Sequence, residues 1–136
     1  MQDLMRNIAG MNTILHFGKT LFWSGKPGIF KASRFDNWGL ISPARGGVLL
    51  DLLYSSIADF KEGYARLRNG LTHGLVGMRG NRMDTLECIY DNISIMPGSD
   101  TLYVQLGSQI VVHVFEESGQ FTTLGIFDNL AIVPRN

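Results

Sequence analysis

The sequence predicts a single α+β domain: an antiparallel, strongly twisted sheet with one long amphipathic helix packed across it. A closed barrel with the helix outside is the alternative architecture. Three observations lead there. The chain has 136 residues, the size of one ordinary domain, and 45% are hydrophobic against 18% charged, enough for a core without staples. An apolar row recurs at helical spacing between positions 49 and 71. On both sides of it lie short β-branched and aromatic runs separated by Gly, Pro and Asp-Asn turn signals.

In chain order, the first twenty residues lack a continuous apolar stretch and a small-residue cleavage site, so a cleaved secretory signal is not expected. Met11 offers an alternative start, which makes residues 1–11 a leader and 12–136 the domain. Thr13–Phe17 and Thr20–Trp23 read as short strands split by Gly18-Lys19. Ser24–Gly28 is a turn cluster, because Pro27 fixes φ and the glycines supply positive φ. Ile29–Phe35 and Trp38–Ile41 flank Asp36-Asn37 as a hairpin.

Ser42-Pro43 is a helix-start signal, weakened by Gly46-Gly47 directly after it. Leu49, Leu53, Ile57, Phe60, Tyr64, Leu67 and Leu71 then recur at steps of 4, 4, 3, 4, 3 and 4, which predicts one helix. Glu62 and Arg66 form an i,i+4 pair on it, and Asn69-Gly70 reads as its C-cap. Residues 70–83, with four glycines, read as a loop with room for one short strand. A β-meander follows: Thr85–Tyr90, Ile93–Met96, Thr101–Leu106, Gln109–Glu116, Phe121–Phe127 and Leu130–Val133. Gly107-Ser108 carries the Gly-first signature of a two-residue hairpin.

One internal repeat is visible. Residues 89–97, IYDNISIMP, match residues 126–134, IFDNLAIVP, position for position in chemical type, with a weaker echo at Phe35-Asp36-Asn37. The Asp-Asn pairs suit a bend or turn, and two copies are too few for a solenoid.

Charge is neutral overall but uneven. Residues 1–82 carry eleven Lys or Arg against five acids, a balance of +6, and residues 83–136 carry the compensating −6. Neutrality disfavours a general nucleic-acid binder, whose signature is a strongly basic domain. A lone cysteine, Cys88, excludes an internal disulfide, and no apolar run approaches a membrane span. The lone thiol and the missing signal make the cytoplasm the expected compartment.

Catalytic motifs are missing. His16, His73 and His113 lie far apart with no metal-ligand spacing, so no metal site is expected, and no cofactor-binding motif occurs. His113, inside an apolar run, reads as a hydrogen-bonded strand histidine, and Cys88 as a small buried hydrophobe. The candidate anion-binding residues are Arg45, Gly46 and Gly47 at the helix start, where free N–H groups and the dipole favour negative charge. His73, Arg79 and Arg82 join them from the second Gly-rich segment. Trp23 and Trp38 are candidates for an interaction surface.

The function these features favour is a non-catalytic binding or interaction protein, assembling as a homo-oligomer, with a small-ligand cleft between the helix start and the strand ends. The alternative is a small cytosolic enzyme or ligand-binding protein acting on an anionic metabolite, and a third is a nucleic-acid-binding module. Whether any reaction is catalysed is not decided by these motifs.

Overall fold

The computed structural model describes residues 13–16 and 19–128, with side chains from Leu21 onward. The expected leader, the strand over Leu130–Val133 and most of the second repeat copy lie outside the described residues. Strands take up 68% of the described residues: β1 (Thr13–His16), β2 (Lys19–Trp23), β3 (Phe30–Arg34), β4 (Asn37–Ser42), β5 (Gly47–Tyr54), β6 (Ser56–Ile57), β7 (Tyr64–Asn69), β8 (Thr72–Arg79), β9 (Arg82–Tyr90), β10 (Asn92–Ile95), β11 (Thr101–Leu106), β12 (Gln109–Phe115) and β13 (Phe121–Asp128). The helical structure among the described residues is one 3₁₀ turn, Pro43–Arg45. None of it is long and apolar enough to cross a membrane. Two compact units divide the chain, Met1–Glu62 and Gly63–Asn136.

The first unit is a meander, β1-β2-β3-β4-β5, antiparallel throughout. Leu21, Ala32 and Ile41 form its buried cluster, with Phe30 and Leu52 packed against it. The expected turn after β2 is present. Ser24 is buried there, and its hydroxyl donates to the Ile29 carbonyl while its own carbonyl accepts the Phe60 N–H. The β3–β4 hairpin is also present, with Phe35-Asp36 as its two central residues rather than Asp36-Asn37.

The long helix is absent, and the α+β class with it. The stretch from Gly47 to Leu71 forms β5, β6 and β7 instead. Glu62 at φ 55° and Gly63 at φ 91° sit in the left-handed region, which no right-handed helix accommodates. The apolar row misled because a step of four is even, and so also fits the two-residue period of a strand. In β5 the residues turned inward are Leu50, Leu52 and Tyr54, whereas Leu53 of the row is 63% exposed. In β7 both faces are covered, so Tyr64, Ala65 and Leu67 are all buried. Leu71, the last of the row, is an exposed turn residue, and Asn69-Gly70 opens a hairpin instead of capping a helix. Arg66 does not pair along a helix with Glu62; its Nη1 donates to the Ile93 carbonyl at 2.7 Å. Closure into a barrel does not occur either, since β1 and β5 remain the two edges of one sheet and β10 and β13 those of another.

The second unit stacks two antiparallel layers, β7-β8-β9 and β10-β11-β12-β13. Residues 70–83, expected as a loop, supply the central strand β8, which is buried along Gly74–Met78. Tyr64, Leu75 and Leu86 from one layer meet Ile93, Leu102, Val104 and Phe115 from the other. Gly77 is what lets the layers approach. A Cβ there would lie 2.7 Å from the Phe115 ring and 2.9 Å from that of Phe121, so no side chain fits. Two-residue turns led by glycine join β7 to β8 at Gly70-Leu71 and β11 to β12 at Gly107-Ser108, the latter as expected. Both glycines have φ of 62°, the value that makes glycine the favoured first residue of such a turn.

These two hairpins are the same device 37 residues apart. His73 opposes Tyr90 and Ile110 opposes Phe127, each residue again 37 from its counterpart. A third version exists in the first unit, where Trp38 opposes Tyr54. The structural counterpart of Tyr90-Asp91-Asn92-Ile93 is therefore Tyr54-Ser55-Ser56-Ile57, and the Phe35-Asp36-Asn37 echo is a hairpin tip unrelated to it. Asp91 does have the turn role expected of it. Its carboxylate accepts the Gly107 N–H at 2.7 Å, tying the bend after β9 to the next hairpin turn.

Candidate functional site

The residues expected to hold an anion divide between the two units. Arg45, Gly46 and Gly47 lie in the first unit, at the 3₁₀ turn between β4 and β5. Gly46 is left-handed and its N–H donates to the Pro43 carbonyl at 3.0 Å. A three-residue turn presents no helix dipole of the expected size, so the reason for placing an anion there is gone. With the helix absent, the cleft inferred at its start loses its basis.

In the second unit His73 is the second residue of β8 and Arg79 its last, six residues and roughly 20 Å apart along an extended strand. Arg79 and Arg82 do face each other across the β8–β9 turn. Each already has a donor engaged. Arg79 Nη2 donates to the Phe115 carbonyl at 3.1 Å and pairs with Asp100, its Nε reaches the Glu116 carbonyl, and its guanidinium lies 4.8 Å from the centre of the Phe115 ring. Arg82 Nη1 donates to the Ser118 carbonyl. Both arginines thus hold the β12–β13 connection onto the β8–β9 hairpin. Asp100 also accepts the Tyr64 hydroxyl at 2.8 Å, and burial together with this carboxylate drives the phenol pKa upward.

The tryptophans of the first unit are unequal. Trp38 is half-buried with its ring 5.2 Å from that of Phe22, whereas Trp23 is 39% exposed. Cys88 is a half-buried free thiol pushed up to about 11 by burial and then by Glu87, which leaves it protonated and unreactive near neutrality. Among the described residues no His, Cys, Asp and Glu cluster suits a metal ion.

What the residues do assemble is an apolar surface that sequence reasoning missed. In the β10–β13 sheet, Leu102, Val104, Val111 and Phe115 turn inward to the core. The alternate residues turn outward: Tyr103 pairs with Val112, Val112 with Gly125, and Ile110 with Phe127. A register shift between Val112 and His113 brings Leu124 to the same side. Tyr103, Val112, Leu124 and Phe127 line a groove of about 390 Å³. Leu124 is 63% exposed and Phe127 47%, while Val112 forms the covered floor. The Phe127 ring lies over Gly125, where a Cβ would come within 3.1 Å of it.

Among the four lining side chains the polar group is the Tyr103 hydroxyl. The surface can exclude water from a complementary apolar face. A signal for it existed in the incomplete alternation of β12, where Ile110, Val112 and Val114 as well as Val111 and Phe115 are apolar, so that both faces of the strand are hydrophobic.

Comparison with protein-family models, with curated proteins and with solved structures returned no match to this chain.

Proposed function

We propose that this protein is a non-catalytic interaction module whose docking surface is the outward face of the β10–β13 sheet. Its partner presents a flat, uncharged apolar sheet face of matching chemistry. The observation that carries this reading is the groove of Tyr103, Val112, Leu124 and Phe127, an exposed apolar lining on a sheet whose other face is already filled. The anionic-metabolite and nucleic-acid readings draw no support from Arg66, Arg79 and Arg82, which donate to backbone carbonyls.

Titration with an uncharged, environment-sensitive dye such as Nile red tests the surface directly. At about 1 µM protein, where a weak partner is released, the folded chain should bind dye saturably. Leu124→Arg should abolish most of that signal, and Leu53→Arg, an equally exposed leucine of the first unit, should not. Equal dye binding by all three proteins, or none by the parent, overturns the reading.

A further inference from the structure

We infer that the groove has an occupant within this chain: residues 129–133 lie across it as a strand, and an outside partner gains the face by displacing them. The inference rests on the docking reading above and gives that site its regulation.

The 37-residue repeat names the segment. Arg66, Leu75 and Tyr90 mark the face of the β7–β9 sheet that meets the next layer. The first strand laid on that face is β10, which enters directly after the Tyr90-Asp91 bend. It packs Ile93 and Ile95 into the Leu75 cluster and offers the Ile93 carbonyl to Arg66. Their counterparts 37 residues on are Tyr103, Val112 and Phe127, three of the four groove residues. The counterpart of β10 is residues 129–132, which follow directly on Phe127-Asp128 and lie outside the described residues. Chemistry at the contact positions is kept, with Leu130 standing for Ile93 and Ile132 for Ile95, while Ala131 stands for the exposed Ser94. The bend that leads from face to strand is kept too, as Asp91-Asn92 and Asp128-Asn129. A donor survives the change from Arg66 to Tyr103, whose hydroxyl is the group available to the Leu130 carbonyl.

The form of the opening favours one strand over a whole layer as its resident. In the covered instance Gly77 admits the rings of Phe115 and Phe121, which come from the later strands of the covering sheet. Its counterpart is Val114, and the added side chain takes up that room. The open face thus keeps the part that β10 uses and loses the part that β12 and β13 use.

Nile red titration of the full chain at about 1 µM tests this. Leu130→Asp combined with Ile132→Asp should tighten dye binding about tenfold, the gain from releasing a segment seated in about nine molecules of ten. The far-ultraviolet spectrum should not change. Ala131→Asp, on the alternate side of the segment, should keep the parent affinity. In urea unfolding, Leu130→Ala and Val112→Ala should couple, the double variant losing less than the sum of the single losses. Dye affinity left alone or weakened by the paired aspartates overturns the inference. An equal gain from Ala131→Asp, or strictly additive losses in urea, does the same. If Leu124→Arg loses the dye while the paired aspartates change nothing, the docking surface stands and its resident segment fails. If neither moves the dye signal, both fail together.

Discussion

His113 shows what burial does to a single titratable side chain. It lies in β12 opposite Leu102, turned inward, with Nδ1 3.3 Å from the Thr123 hydroxyl. Desolvation holds its pKa below the ordinary 6.5, against a smaller opposing effect of the Thr122 backbone. The unfolded chain therefore takes up a proton at higher pH than the folded one. Stability contributed by neutral His113 is complete above about pH 6.5 and is lost as pH falls toward the depressed folded pKa. The urea midpoint should be lower at about pH 5 than at about pH 7.5, and His113→Leu should remove part of that difference. Identical pH slopes in parent and variant would assign the loss to other groups. The strand placement of this histidine was legible in the apolar run around it. The roles of Arg79 and Arg82 were not, because their acceptors Phe115, Glu116 and Ser118 lie more than thirty residues further on. No local pattern announces a bond of that span.

At the scale of elements, hairpins were legible where turn chemistry marked them and lost where apolar spacing competed. Gly107-Ser108 and the turn after β2 were recognisable because glycine admits the positive φ a turn needs and proline fixes its own φ. The stretch from Leu49 to Leu71 was not, since its four steps of four fit both periods and Glu62 suited an i,i+4 pair with Arg66. The β3–β4 hairpin shows the converse case, a turn built from the wrong residues. Phe35 at φ 52° and Asp36 at φ 65° occupy the two left-handed positions of a two-residue hairpin turn. Phe35 is 85% exposed and its visible compensation is the Arg34 guanidinium 5.4 Å from its ring centre. An aromatic residue in this region costs on the order of 1 kcal/mol, which Asn-Gly avoids. The double change Phe35→Asn and Asp36→Gly should therefore raise stability by about 1 kcal/mol in chemical denaturation. A loss of stability instead would mean that the phenyl ring holds the hairpin through contacts stronger than the strain.

For the molecule as a whole, the repeat explains both the fold and the placement of its open face. The boundary between the basic and acidic segments falls at the start of β9, inside a hairpin, so four of the basic residues, Arg66, Arg68, Arg79 and Arg82, share a unit with the acidic segment. Arg79 pairs with Asp100 across that boundary. The repeat itself was legible as IYDN and IFDN, but not its consequence, because the third copy reads Tyr54-Ser55-Ser56-Ile57 and shares little chemistry with the others. Identical module positions then differ in energetic weight according to whether another layer covers them. Leu75 is fully buried between layers, and its truncation to Ala should cost about 2–5 kcal/mol through lost transfer energy and a cavity. Leu124, on the open face, should lose less than about 0.5 kcal/mol when truncated, provided that unfolding is measured at high dilution. Equal penalties at Leu75 and Leu124 in chemical denaturation would show that the two module positions are covered alike.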